Sequence, residues 1–142
     1  MVQFELLHPE LLSVLARAGH GSQVLLADAN YPFATGARSE VPRVYLNLAP
    51  DLLRVTDVLQ VLKAAIPIEA ATVMVPSSKA DAGPEPDIFQ EFRSLLPALE
   101  LSKLERSAFY ARARGDDLAL LIATGERRLY ANLMLTIGVV SG

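Results

Sequence analysis

Only two side chains in this 142-residue sequence, His8 and His20, ordinarily exchange a proton near neutral pH. His8 precedes Pro9 and Glu10 at an apparent helix start, where capping or a surface position accounts for it. His20 lies between Gly19 and Gly21, in a turn from a helix to a strand. Glycine lets the backbone bend sharply there and leaves the imidazole uncrowded. That suits a general acid and base; a plain polar turn residue is the other open reading. Asp28 ends the apolar run Gln23-Val24-Leu25-Leu26-Ala27, and open α/β sheets bind ligands at the carboxyl ends of their strands. An Asp that caps the following turn through its own backbone would look the same. Tyr130 and Asn132 follow the Thr124-Gly125-Glu126 turn, and alternation puts both on one side of the chain. A phenol beside an amide suits a hydroxyl-rich ligand such as a sugar, or an edge-strand cross-pair. Arg106 opens Arg-Ser-Ala-Phe-Tyr and is free either to bond ligand hydroxyls or to pair near Glu105.

These residues need a scaffold, and the sequence describes one. A chain of 142 residues, 51% hydrophobic, predicts a single domain over 1–142 with one compact core. Hydrophobicity this high in so small a chain also points to apolar surface buried between subunits. A Pro at the first helical position predicts a helix from His8-Pro9-Glu10, carried by Leu11, Leu12, Val14, Leu15 and Ala18 and stopped by Gly19. Residues 23–28 read as a strand, 29–42 as a long loop and 43–48 as a second strand. Thr56 is expected to cap a helix running to Ile66 before Pro67. Residues 71–75 read as a strand, 76–86 as a turn-rich surface loop, 87–96 as a helix, 99–104 as a strand and 107–114 as a short helix. The continuous apolar run 118–123 predicts a strand buried on both faces, and 132–137 a last strand. Strands alternating with helices predict an α/β fold, a three-layer α/β/α domain around a largely parallel sheet.

Composition excludes several kinds of chemistry. Thirteen Lys and Arg against 16 Asp and Glu give a net charge of -3, without the basic stripe of a nucleic-acid binder. The clusters 112–114 and 127–128 are broken by acids and read as solvated faces. With no cysteine there is no disulfide, thiolate nucleophile or Cys-based metal site. The two histidines are too far apart for a local ligand pair, so no metal and no cofactor are expected. Gly19-His20-Gly21 precedes a strand, whereas a dinucleotide fingerprint follows one. The start Met-Val-Gln-Phe-Glu is not a signal peptide, and no apolar run reaches the roughly 18 residues of a membrane span. The expectation is a cytoplasmic protein that acts without a membrane.

Three blocks carry a resemblance: Gly19-His20-Gly21 with Asp28-Ala29-Asn30-Tyr31-Pro32, then Arg106-Ser107-Ala108-Phe109-Tyr110, then Thr124-Gly125-Glu126 with Tyr130-Ala131-Asn132. Together they resemble the fucose mutarotase and D-ribose pyranase family, in family order and over nearly the whole chain. The resemblance implies an isomerase for a free monosaccharide, often assembled as a ring-based decamer, without metal or nucleotide. It implies that His20 is the proton donor and that Asp28, Arg106, Tyr130, Ala131 and Asn132 contact the sugar. Arg106 with Phe109 and Tyr110 resembles the fucose branch, and Ala131 the ribose branch. Because Arg106 changes charge and reach at the sugar while Ala for Gly removes little, L-fucose is the expected substrate, with D-ribose as the alternative.

The chemistry asked of such residues is modest. Anomer exchange opens a hemiacetal ring by protonating the ring oxygen while the anomeric hydroxyl gives up its proton, and recloses it on the other face. His20 fits that task, with Tyr130 as a second proton relay. Geometry adds a condition. A strand over 23–28 separates its ends by roughly 20 Å, so His20 and Asp28 reach one sugar only if a loop folds back or different subunits supply them. The second arrangement, a pocket at an interface of a homo-oligomer, is the expectation.

Overall fold

The computed structural model describes residues 1–77 and 83–142. The part of the expected 76–86 loop that covers 78–82 lies outside the described residues. Among the described residues six strands, β1 (Gln23–Ala27), β2 (Arg43–Tyr45), β3 (Ile68–Val75), β4 (Leu101–Glu105), β5 (Leu118–Ala123) and β6 (Leu133–Ile137), form one sheet in the order β2-β5-β1-β6-β3-β4. The described residues also form four helices: α1 (Pro9–Arg17), α2 (Val55–Ala65), α3 (Ile88–Leu95) and α4 (Arg106–Ala113). β1 and β2 run parallel to β5, and β3 runs parallel to β4. β6 is antiparallel to both of its neighbours, β1 and β3. Five strands therefore point one way and one points back.

Strand alternation sorts the apolar residues onto two faces. Val24 and Leu26 of β1 join the cluster that α1, α2 and α3 cover with Leu11, Val58, Leu59, Phe89 and Phe92. Leu25 and Ala27 face the other side, where Phe109 and Ala113 of α4 pack with Tyr31, Ala37 and Val41 of the long loop. This is the expected three-layer arrangement, with one outer layer made partly of loop.

Several boundaries differ from the sequence reading. α2 starts at Val55, one residue before Thr56, and Arg54 is its N-cap; the Arg54 amide donates to Asp57 Oδ2 at 2.8 Å. β2 stops at Tyr45 instead of running to residue 48, because the chain turns into a tight loop closed by an Ala49–Leu52 bridge. β3 begins at Ile68, before the apolar stretch, since its first residues pair with β6 at a register irregularity. His8 caps α1, its Nδ1 accepting from the Leu11 amide at 3.3 Å.

Candidate functional site

The parallel strands deliver their carboxyl ends to one edge of the sheet, and β6 begins at that same edge. A cavity of about 390 Å³ opens there, and Asp28, Arg106, Tyr130 and Asn132 line it. Four of the six residues singled out from the sequence thus converge. Ala131 sits between two of them but is fully buried and outside the lining; its backbone amide bonds the Asp28 carboxylate.

Each side chain is held by its element. Asp28 follows β1 directly and is 4% exposed. Its amide donates to Asn132 Oδ1 at 2.7 Å, tying the exit of β1 to the entry of β6, and its Oδ1 accepts from the Asn30 amide at 3.0 Å. Burial pushes the Asp28 carboxyl from 3.8 up to about 6, although the amides of Asn30, Ala131 and Tyr31 pull the other way. A carboxyl titrating there can hold or give a proton near neutral pH. Arg106 is the first residue of α4, whose start is capped by the Glu105 carboxylate accepting from the Ser107 and Ala108 amides at 3.0 and 2.8 Å. Tyr130 has φ 56°, a left-handed conformation that costs a non-glycine residue about 1–3 kcal/mol and persists only where its surroundings fix it.

Other residues complete the cavity: Asn30, Tyr31, Met74, Tyr110 and Leu129. The sequence reading quoted Asn30, Tyr31 and Tyr110 within its motifs but gave them no role. Tyr110 had a legible signal, four residues after Arg106 and hence on the same helix face. Met74 and Leu129 had none, since only the sheet order and a loop bring them here. The Tyr31 and Tyr110 rings lie 5.4 Å apart, and the Arg114 guanidinium sits 5.6 Å from the Tyr110 ring centroid. Tyr31 donates its hydroxyl to Gly36 O at 2.7 Å, and burial raises its pKa further above the usual phenol range. The loop around it is wrapped on one cation: the five N–H donors of Arg43 go to the carbonyls of Phe33, Ala34, Ala37, Arg38 and Val41. The arginine fork, with five donors in fixed geometry, is what makes that possible.

His20 is elsewhere. It lies before β1, where the Gly21 amide donates to Ile137 O at the far end of β6. Its Nε2 is 3.0 and 3.1 Å from the two carboxylate oxygens of Glu69, near the start of β3. Both side chains are exposed, at 59% and 44%. Gly21, with φ 86°, supplies the bend that glycine was expected to allow. The residues of β1 alone span about 17 Å, so within one chain His20 and the cavity occupy opposite ends of the sheet. Glu69 was not singled out from the sequence, and nothing in its local context marks it.

The arrangement can bind a small hydroxyl-rich ligand between aromatic walls, with Asp28, Asn30, Arg106 and Asn132 offering polar groups. The sequence model of the RbsD / FucU transport protein family matches residues 1–140. Human fucose mutarotase is 35% identical over 147 residues, covering 96% of this chain and 91% of that protein. The structure of fucose mutarotase from Streptococcus pneumoniae in complex with L-fucose superposes with a TM-score of 0.83 at 26% identity, covering 99% of this chain and 100% of that one. Bacillus subtilis RbsD complexed with D-ribose gives the same TM-score, 0.83, at 26% identity and the same coverage. A match that runs along nearly the whole chain, in sequence and in fold, leaves one assignment: this chain belongs to the RbsD / FucU transport protein family.

Proposed function

We propose that this protein is a monosaccharide mutarotase, an isomerase that interconverts the α and β anomers of a free sugar, with L-fucose as substrate. The observation that carries the reading is the cavity at the carboxyl edge, where Asp28, Arg106, Tyr130 and Asn132 meet. A relative 35% identical over 96% of the chain is a fucose mutarotase, which supports the same reaction here.

In this reading Arg106, Asn132 and Asp28 orient sugar hydroxyls, and the backbone at Ala131 holds the Asp28 carboxylate. His20 of a neighbouring subunit protonates the ring oxygen, with Glu69 orienting its imidazole. Tyr130 relays the proton from the anomeric hydroxyl. The C1–ring oxygen bond breaks, the open aldehyde turns about C1–C2, and closure on the other face returns both protons. The protein then works as a cytoplasmic homo-oligomer, each pocket completed by a second copy and each subunit a single mutarotase domain over 1–142. Exposed apolar side chains support burial between copies: Leu48 at 86% and, at the cavity itself, Leu129 at 69%.

Saturation-transfer NMR on L-fucose and D-ribose tests this, with wild type and His20→Ala. Accelerated anomer exchange in fucose, lost in the variant, is expected. Binding without exchange would instead make the protein a sugar-binding accessory of transport. Pyranose–furanose exchange of D-ribose is the second reading, favoured by Ala131 and by the equal likeness to the ribose complex. A monomeric variant with full turnover would sink the shared pocket.

A further inference from the structure

Glu126 is fully buried and carries a charge, yet it does not line the cavity. Its carboxylate accepts from the Arg128 amide at 3.1 Å and Nε at 2.9 Å on one oxygen, and from the guanidinium at 3.0 Å on the other. It also accepts from the Val55 amide at the start of α2. Burial alone would raise its pKa; the Arg128 contacts outweigh this and hold the carboxyl below its ordinary value, so it is ionised. Arg128 reaches onward, 2.7 Å to Glu91 of α3 and 3.5 Å to Thr56 of α2. An ion pair with one partner buried is often no more stabilising than an apolar pair of the same shape. What this one does is fasten residues 126–128 to two helices, two residues before the strained Tyr130. The other side of the segment is fixed too: Glu126 O accepts from the Ala29 amide at 2.8 Å, and Thr124 Oγ1 donates to Ala27 O at 2.7 Å.

We propose that Glu126, acting through Arg128, is a positioning residue that holds Tyr130 in its left-handed conformation and so aims the phenol into the cavity. Asn132 needs no such strap, because the Asp28 amide and the start of β6 already hold it. The strap therefore governs proton relay more than binding. This rests on the reading of Tyr130 as a relay, and its structural part can be tested apart from activity.

The experiment compares Glu126→Gln and Arg128→Lys with wild type, with Glu85→Gln as a control that breaks an ion pair to Arg93, neither residue lining the cavity. Anomer exchange of L-fucose is measured for kcat and KM, and the φ-dependent amide coupling of Tyr130 is read by NMR. Lysine keeps the charge of Arg128 but cannot bridge Glu126, Glu91 and Thr56 together. The expected result is a kcat loss of roughly 10- to 100-fold with KM within about threefold, and a Tyr130 coupling that leaves its wild-type value. Glu85→Gln keeps wild-type values throughout. If Glu126→Gln does not fold, Arg128→Lys, half-buried and at the outer end of the network, decides the question. An unchanged Tyr130 coupling overturns the proposal even if the wild type proves to have no mutarotase activity. Unchanged kcat, or a kcat loss matched by an equal rise in KM, overturns it as well.

Discussion

The two ends of β1 show two ways of presenting a proton. At the carboxyl end Asp28 is 4% exposed, tied by hydrogen bonds to two neighbouring segments, and pushed up to about 6 by burial. At the amino end His20 is 59% exposed, held by one carboxylate and bent outward by Gly21. One group is tuned by what surrounds it in its own chain. The other is an imidazole open to solvent, paired with Glu69 and without an enclosure of its own. A buried carboxylate loses its water on folding, whereas an exposed imidazole loses it only when something docks over it. The contrast separates an end enclosed by its own chain from an end left open to solvent.

The sharpest break of that contrast is His20→Ala. With His20 in its proposed acid–base role, its removal should lower kcat for fucose anomer exchange about 10²–10⁴-fold. The melting temperature should stay within a few degrees, because an exposed ion pair contributes little. A large fall in melting temperature would mean that the amino end is structural.

Tyr130→Phe comes next. It keeps the ring and the backbone strain but removes the relay, so kcat should fall about 10- to 100-fold with little change in KM, read by the same exchange measurement. Tyr130→Gly separates strain from chemistry: it should equally lose activity, while relief of the φ 56° penalty offsets part of the packing its half-buried ring gives up, so the melting temperature should fall by less than that lost packing alone would cause.

Asp28→Asn sharpens the comparison through pH. Between pH about 4 and about 6 the folded chain keeps a proton on Asp28 that the unfolded chain releases. Its contribution to stability is therefore complete below pH 4 and lost as pH rises through 6, by an amount on the order of 3 kcal/mol. Denaturant titrations across that range should show wild-type stability declining with pH while the asparagine variant stays flatter. The smallest effect is expected for Glu69→Gln, a two- to tenfold loss of kcat in the exchange assay with no change in melting temperature, because glutamine still accepts one bond from His20.

Much of the fold was legible because it is written in short-range patterns. Helical spacing placed α1, α2 and α3 to within a few residues, and the uninterrupted apolar run 118–123 marked β5 as an interior strand, as its place between β2 and β1 bears out. Asp28 was legible as a polar residue at the end of a strand, and Arg106 as the opening of its Arg-Ser-Ala-Phe-Tyr motif. Met74, Leu129 and Glu69 were not. Each matters through a neighbour far along the chain, and no local pattern encodes that. The basic pair 127–128 misled for the same reason: Arg128 was read as a solvated face, yet its guanidinium lies against a buried carboxylate.

The sequence by itself determined which segments are strands and helices, which faces are apolar, and that a glycine bend exposes His20 before β1, since all of these depend on residues within a turn or two. Only the tertiary structure decided that β6 runs backward between β1 and β3, placing Asn132 on the Asp28 amide and Ile137 beside Gly21. Strand order and direction are settled by competition among long-range pairings for the same buried faces. That competition put the imidazole and the cavity at opposite edges of one sheet.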